Sequence, residues 1–313
     1  MNDLRRALAS AAGELCEEEP LSRHTSLRIG GPARLLAAPR DAMSLSACVR
    51  AARRGGCDLL VLGGGTNLLV SDDGFDGLAL RPELAGLEPA PDRHSVAVGA
   101  AVPTAELVDL LVEEGLAGLE FAAGLPGTVG GAIAGNAGCF GESLGERLLS
   151  AEVVDKDGAP RRVDDPSWFG FDYRLSSLAR RGAILTRAVF AVEPGDRARL
   201  REVAESLRRL RRERHPARKI ATAGSYFRNP PAVEPSGRRR AAGALLDAVG
   251  AKRMSVGDAA VFERHANIVI NRGRASAREV LELTNRMARA VRERFGVELA
   301  PEVRFVGPRP TGL

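Results

Sequence analysis

Apolar residues recur every three to four positions in four segments of the chain, which is the spacing of an amphipathic helix. The segments span residues 41–56, 105–114, 196–214 and 276–296. A glycine or a proline lies at or just beyond the end of each segment, as expected where a helix stops. The pattern therefore predicts four helices distributed along the whole chain.

The last of these helices has the strongest signals. Ser276 and Glu279 have the spacing of a capping box, and Gly296 follows the last apolar position. The predicted inner face consists of five apolar residues, Val280, Leu283, Met287, Val291 and Phe295.

Short apolar runs bounded by glycine predict strands between the helices. The runs are 59–62, 95–99, 151–155 and 183–192, and alternation of apolar and charged residues predicts one more strand in the tail, 301–307. Residues 231–240, rich in proline, glycine and arginine, are predicted to form a loop. The first 195 residues thus combine strands and helices with many glycine turns.

Two glycine clusters follow predicted strands and contain Thr and Asn as well. The candidate ligand-binding residues are Gly63, Gly64, Gly65, Thr66 and Asn67 in the first cluster, and Gly124, Gly127, Thr128, Gly130, Gly131 and Asn136 in the second. Glycine lets successive backbone N–H groups approach an oxyanion, so such turns suit a pyrophosphate. The P-loop motif and the GxGxxG spacing of a Rossmann fold are both absent. The alternative is that both clusters are simply tight turns.

Composition places the chain among globular proteins, with 313 residues, 44% hydrophobic and 27% charged. The net charge of +5 raises the question of nucleic-acid binding. Against it, the most basic run, 208–214, is interrupted by Leu210 and Glu213, and aromatic residues make up only 4% of the chain. No segment is apolar enough for a signal peptide or a membrane span, so a cytoplasmic protein without membrane or nucleic-acid partners is expected.

The four cysteines, Cys16, Cys48, Cys57 and Cys139, have no CxxC spacing. This argues against a zinc cluster and against a thioredoxin-like site. They are predicted to be free, buried thiols, and no metal is expected.

Six stretches together resemble one enzyme family, that of UDP-N-acetylenolpyruvoylglucosamine reductases. They are HTSLRIGGP (24–32), LGGGTNLLV (62–70), GLPGTVGGAIAGNAG (124–138), FDYRLS (171–176), AGSYFRNP (223–230) and PEVRFVG (301–307). The resemblance implies an α+β fold, in which a two-subdomain FAD-binding module of the PCMH/vanillyl-alcohol-oxidase type is joined to a smaller α/β substrate-binding domain. The implied boundaries are 1–195 for the FAD module, 196–300 for the substrate domain, and 301–313 for a tail returning to the FAD module.

The function implied by this resemblance is reduction of an enolpyruvyl ether on a UDP-sugar, with non-covalent FAD as cofactor and NADPH as co-substrate. Three polar residues match the family's catalytic positions. Ser225 is expected to donate the proton, and Arg174 and Glu302 to stabilise the enolate-like charge. No obligate protein partner is implied.

Four further residues are candidates for substrate binding, namely Tyr173, Arg214, Asn229 and His265. Arg214 stands where the family usually has a lysine, and can still bind phosphate. His265 either lines the nucleotide site or is structural. A competing hypothesis is an alcohol or aldehyde oxidase of the wider flavin fold, with flavin attached covalently through His24 or Cys139.

Overall fold

A computed structural model describes residues 2–12, 14–231 and 239–311. The described residues form eight α-helices: α1 (Asn2–Ala12), α2 (Ala42–Arg54), α3 (Thr104–Glu114), α4 (Val129–Ala134), α5 (Leu144–Arg147), α6 (Arg197–Arg214), α7 (Ala242–Ala248) and α8 (Ala277–Phe295). The strands up to residue 143 are β1 (Leu15–Pro20), β2 (Pro32–Ala37), β3 (Leu59–Val61), β4 (Leu68–Val70), β5 (Phe75–Leu80), β6 (Leu87–Pro89), β7 (Ser95–Gly99), β8 (Leu116–Ala117), β9 (Gly138–Cys139) and β10 (Glu142–Ser143). The later strands are β11 (Leu148–Val154), β12 (Pro160–Val163), β13 (Ile184–Ala191), β14 (Glu193–Pro194), β15 (Ala221–Ser225), β16 (Ser255–Val256), β17 (Ala259–Val261), β18 (Ile268–Asn271) and β19 (Arg304–Val306).

The four helices predicted from apolar spacing are confirmed as α2, α3, α6 and α8. The predicted capping box of α8 is present, with Ser276 and Glu279 bonding each other's backbone, and Gly296 takes the left-handed conformation that ends the helix. Four members of its predicted inner face are fully buried, whereas Phe295 is only partly buried. The capping residues in the sequence therefore predicted both ends of this helix correctly.

The chain forms two compact units. The first comprises Met1–Glu19, Arg34–Gly64 and Gly77–Arg211. Its largest core lies around the antiparallel five-stranded sheet β12-β11-β13-β7-β6, where Phe169 and Phe190 are fully buried. A second core fills the space around α1, α2 and β5. This mixture of helices with largely antiparallel sheets is the predicted α+β fold.

The second unit comprises Pro20–Ala33, Gly65–Asp76 and Arg212–Leu313. Its sheet has the strand order β15-β18-β17-β16, and the inner face of α8 contributes much of its core. The carboxylate of Asp72, two residues after β4, accepts hydrogen bonds from the first two N–H groups of α8, Ala277 at 2.7 Å and Arg278 at 3.1 Å. Division of the chain at 195 and 300 into cofactor and substrate domains stays a prediction.

The tail strand is shorter than predicted. Only Arg304–Val306 forms β19, which pairs in parallel with β4. The preceding residues bond elsewhere, because Pro301 bridges Phe227 and the Glu302 N–H donates to the Tyr226 carbonyl at 2.7 Å. Sequence alternation does not reveal such a change of partner within a strand.

All four cysteines are free thiols, as predicted, although their burial is uneven. Cys48 and Cys57 are buried, while Cys16 and Cys139 are only partly covered. The predicted loop at 231–240 lies mostly outside the described residues. Within the part of the chain that the structure describes, no helix is both long and apolar enough to cross a membrane.

Candidate active site

The first glycine cluster is the turn that connects β3 to β4, and the boundary between the two units falls after Gly64. Gly65 has φ +61°, and a Cβ there would collide with the carbonyl oxygen of His24. Ser26 also donates its N–H to the Gly65 carbonyl at 3.0 Å. The segment that begins at His24 therefore packs against this turn and requires glycine at position 65.

Backbone N–H groups along this turn are available to a ligand. Among the described residues, none of the N–H groups from Gly63 to Asn67 donates a hydrogen bond to protein. Gly63 and Gly64 are also exposed. Unpartnered, closely spaced amides of this kind fit an oxyanion such as a pyrophosphate.

The second glycine cluster contains the short helix α4. Thr128 caps it, accepting a hydrogen bond from the Gly131 N–H at 3.3 Å. The N–H groups of Val129 and Gly130 donate to the carbonyls of Val102 and Ala100. The first N–H groups of this helix are therefore already hydrogen-bonded within the protein. They are less available to a ligand than the N–H groups of the first turn.

The two clusters meet in the first unit. A Cβ at Gly63 would lie 2.6 Å from Thr128 Oγ1 and 3.7 Å from the Gly131 nitrogen. The absence of a side chain at Gly63 thus lets the first turn pack closely against the cap of α4. That the two clusters hold FAD together stays a prediction.

Asn136, a predicted cofactor ligand, has its side chain committed within the protein. Its Nδ2 donates to the Asp172 carbonyl at 2.9 Å, and its Oδ1 accepts from the Gly145 N–H at 3.1 Å. Its part in cofactor binding stays a prediction, as do those of Gly124, Gly127, Thr66 and Asn67.

We expect Gly64→Val to lower the flavin content of the purified protein strongly. The left-handed glycine of the turn is Gly65, so a change at Gly64 tests ligand approach rather than backbone conformation. The measurement is the ratio of flavin to protein absorbance, with far-UV circular dichroism as the control for folding. A folded variant with a full complement of flavin would remove this turn from the cofactor site.

Arg174 lies in the first unit, at the third position of a tight turn. Asp172 and Leu175 exchange backbone hydrogen bonds around it, and Arg174 itself has φ +54°. Such a φ is strained for a residue with a side chain. Its guanidinium donates to the Gly138 carbonyl at 2.7 Å and lies over the Tyr173 ring. The turn thus holds the guanidinium beside the strand β9 in a strained conformation.

Ser225 ends β15 in the second unit. Gly224 before it has φ +78°, and the pairing of β15 with β18 is irregular between Thr222 and Ser225. Within the described ranges, the half-buried Ser225 hydroxyl has no hydrogen-bond partner. The irregularity re-aims this hydroxyl and leaves it available to a ligand.

Glu302 is fixed close to Ser225 in the chain's second unit. Its N–H donates to the carbonyl of Tyr226, the residue after Ser225, and its own carbonyl accepts from the Asn67 side-chain amide at 3.1 Å. The Arg304 N–H then donates to the Asn67 carbonyl at 3.0 Å. Glu302 is therefore joined by backbone hydrogen bonds to the residue after Ser225 and to the end of the first glycine turn.

One residue that supports this arrangement was not predicted from the sequence. Asn267 is buried and bonds both backbone groups of Phe227, at 2.9 Å and 2.8 Å, while its carbonyl accepts from the Tyr226 N–H at 2.7 Å. It therefore holds the chain just after Ser225. Its position two residues after His265 in the sequence was the only available signal.

The predicted substrate-binding residues occupy different places. Arg214 and His265 lie in the second unit, where burial lowers the pKa of His265 and the charges of Lys252 and Arg214 lower it further. The Asn267 N–H donates to His265 Nδ1 at 3.2 Å, which favours the neutral ring with its proton on Nε2.

The other two predicted substrate-binding residues lie elsewhere. The Asn229 side chain caps α7 by accepting a hydrogen bond from the Ala242 N–H at 3.0 Å. Tyr173 lies in the first unit beside Arg174.

Comparison with known proteins agrees with these features. Residues 215–306 match the C-terminal domain of UDP-N-acetylenolpyruvoylglucosamine reductase, and residues 33–164 match an FAD-binding domain. The reductase of Moorella thermoacetica is 41% identical over 309 residues, covering 96% of this chain and 98% of the relative. That of Rubrobacter xylanophilus is 40% identical, covering 93% and 94%.

A solved structure extends the comparison to the fold. The crystal structure of the reductase from Thermus caldophilus matches with a TM-score of 0.77 and 32% sequence identity, covering 94% of this chain and 98% of that one. The chain therefore belongs to the UDP-N-acetylenolpyruvoylglucosamine reductase family, FAD-dependent oxidoreductases that reduce an enolpyruvyl UDP-sugar with a flavin.

Proposed function

We propose that this protein uses NADPH to reduce the enolpyruvyl group of UDP-N-acetyl-3-O-(1-carboxyvinyl)-glucosamine, giving UDP-N-acetylmuramate for peptidoglycan precursor synthesis in the cytoplasm. The observation that carries the proposal is the linkage of Ser225, Glu302 and Asn67. The chain after Ser225 bonds to Glu302, and Glu302 bonds to the end of the glycine turn. The backbone at the proposed proton donor and at the proposed catalytic glutamate is thereby tied to the turn that we propose binds the cofactor.

The reaction needs a hydride at the terminal vinyl carbon and a proton at the carbon that bears the carboxylate. Bound FAD supplies the hydride-transfer chemistry, held without a covalent bond by the residues of the two glycine clusters. Ser225 donates the proton from its hydroxyl, which has no protein partner in the described ranges and is accessible. The remaining task of the protein is to stabilise negative charge on the substrate.

That charge develops on the substrate carboxylate and the adjacent carbon. Arg174 pairs with it through a permanently cationic guanidinium, which the strained turn presents in a fixed orientation. Glu302 is the second residue that we propose stabilises the enolate-like charge, together with Arg174. Strain at Arg174 is the kind of local cost that a functional site retains.

The UDP part of the substrate binds through Arg214, Asn229, His265 and Tyr173. Arg214 and Lys252 lower the pKa of His265, and Lys252 is itself paired with Asp247 at 3.0 Å. A neutral histidine there donates a hydrogen bond from Nε2 without adding charge. Arg214 then supplies the attraction for the diphosphate.

The alternative of an oxidase with covalent flavin receives no support from Cys139. Burial raises the pKa of its thiol, and its Sγ donates to the Phe121 carbonyl at 2.8 Å. A neutral thiol in this state is a poor nucleophile. Denaturation of the purified protein should release all of its yellow colour, and colour that stays with the chain would indicate covalent attachment through His24 or Cys139.

Steady-state kinetics test the proposal. Both half-reactions transfer a hydride to or from the same flavin, so NADPH and the UDP-sugar should bind in turn and give parallel double-reciprocal plots, with inhibition at high UDP-sugar concentration. Detection of a ternary complex, with both ligands bound to FAD-loaded protein, would contradict the single-site proposal.

A further inference from the structure

The irregular pairing of β15 with β18 is bridged by one side chain, that of Thr222. The register shifts after Thr222, and pairing resumes at Ser225. The Thr222 hydroxyl donates to the Val269 carbonyl on β18 at 2.7 Å and accepts a hydrogen bond from the Gly224 N–H at 3.2 Å. It thus bonds one backbone group of each strand at the place where the ladder is interrupted. A side chain, rather than strand pairing, holds the bulge in shape.

The shape of this bulge decides where the Ser225 hydroxyl points. Between the two pairs Thr222–Ile270 and Ser225–Ile268, β15 has one residue more than β18. One extra residue reverses the face of the sheet on which the next side chain lies. Gly224, directly before Ser225, has φ +78° and can adopt many other conformations. The hydrogen bond from its N–H to Thr222 therefore selects the conformation that presents Ser225.

Thr222 is also tied to the first glycine turn through Ser26. The Ser26 Oγ donates to the Thr222 carbonyl at 2.6 Å, and the Thr222 N–H donates to the Ser26 carbonyl at 3.1 Å. Ser26 in turn donates its N–H to the Gly65 carbonyl at 3.0 Å. All of these residues belong to the second unit. Thr222 therefore has a fixed place relative to the end of the glycine turn.

We propose that Thr222 is a positioning residue for Ser225, the proposed proton donor. This inference rests on the proposed function. The Thr222 hydroxyl fixes the bulge, the bulge orients the Ser225 hydroxyl, and Ser26 keeps both in register with the turn that we propose binds the cofactor. Proton transfer requires the donor to lie within reach of the acceptor atom, so a hydroxyl that can swing away loses rate although its chemistry is unchanged.

Two substitutions at Thr222 separate its hydroxyl from its volume. Thr222→Val has nearly the same shape but no hydroxyl, whereas Thr222→Ser keeps the hydroxyl and loses a methyl group. In stopped-flow absorbance of the FAD-loaded protein, Thr222→Val should slow flavin reoxidation by the enolpyruvyl substrate about 10- to 100-fold, the scale for displacing a catalytic group by about an ångström. Flavin reduction by NADPH should be unchanged. Thr222→Ser should reoxidise close to the wild-type rate.

The matched control is Ser44→Ala on α2. The Ser44 hydroxyl, like that of Thr222, donates to one backbone carbonyl and accepts from one N–H, both of Asp41. Its removal should change neither rate. If Thr222→Val folds poorly, Thr222→Ala replaces it, since valine sets a methyl group against two unpaired polar groups whereas alanine leaves room for water. A wild-type rate of reoxidation in either folded variant would overturn the inference.

A double variant distinguishes positioning from a general loss of structure. Because Thr222 acts through the Ser225 hydroxyl, Thr222→Val should cause no further slowing of reoxidation in the Ser225→Ala background. In the wild-type background it should also enlarge the solvent deuterium isotope effect on reoxidation, since transfer of the Ser225 proton limits the rate more strongly. Equal slowing in both backgrounds, with an unchanged isotope effect, would show that Thr222 is merely structural.

The single variant Ser225→Ala separates this inference from the proposed function. If Ser225→Ala slows reoxidation and Thr222→Val does not, only the present inference fails. If Ser225→Ala reoxidises at the wild-type rate, the role of Ser225 in the proposed function fails, and the inference fails with it.

Discussion

Ser225→Ala is expected to slow reoxidation of the reduced enzyme by the enolpyruvyl substrate at least ~10²-fold, the usual scale for general-acid catalysis. NADPH should still bleach the flavin at close to the wild-type rate, because that step needs no proton from Ser225. The hydroxyl has no partner among the described residues, so its removal should leave the fold intact. Stopped-flow absorbance measures the two steps separately.

Three further variants support and control this prediction. Ser225→Cys should retain more activity than Ser225→Ala, since a thiol can still donate a proton. Glu302→Gln should slow the same step. Ser255→Ala, at an exposed position on β16, should change neither step. Equal slowing of both half-reactions by Ser225→Ala, or no slowing of the second, would exclude Ser225 as the proton donor.

Replacement of Arg174 by alanine or by glycine is expected to reduce activity equally but to affect stability unequally. Arg174→Ala and Arg174→Gly should each slow substrate reduction by about 10²- to 10³-fold, since both remove the cation that stabilises the developing charge. Both also lose the hydrogen bond to Gly138. They differ in backbone conformation, because position 174 has φ +54°, which glycine adopts without strain.

Thermal unfolding of the two variants isolates this difference. Arg174→Gly should be more stable than Arg174→Ala by about 1 kcal/mol, the usual cost of a left-handed residue with a side chain. In a chain of this size that corresponds to a melting temperature higher by about 2 °C. Equal stability of the two variants would mean that the turn relaxes when the arginine is removed, and that the guanidinium is not held by a strained backbone.

Local sequence signals predicted the helices whose ends carry capping residues. Helix α8 was located by Ser276, Glu279 and Gly296, because caps act through hydrogen bonds between near neighbours in the chain. The short helix α4 was not predicted, since a six-residue run with two glycines has low helix propensity, and its first N–H groups are satisfied by Ala100 and Val102 from another segment. Tertiary contacts of this kind are not encoded in periodicity.

The candidate site shows the same limit. Sequence motifs pointed to Ser225 and Glu302, but they could not show that the Tyr226 carbonyl and the Asn67 side chain fix the backbone of Glu302. They also could not show that the side chain of Asn136, a predicted cofactor ligand, is hydrogen-bonded to Asp172 and Gly145.

In the proposed reaction, one bound flavin takes electrons from NADPH and gives them to the enolpyruvyl substrate. The direct measurement is an anaerobic titration of the purified protein, followed by its absorbance spectrum. NADPH alone should bleach the flavin, and the enolpyruvyl substrate alone should then restore the colour, forming one UDP-N-acetylmuramate for each flavin reoxidised. A protein without flavin, or a reduced flavin that only oxygen reoxidises, would contradict the account.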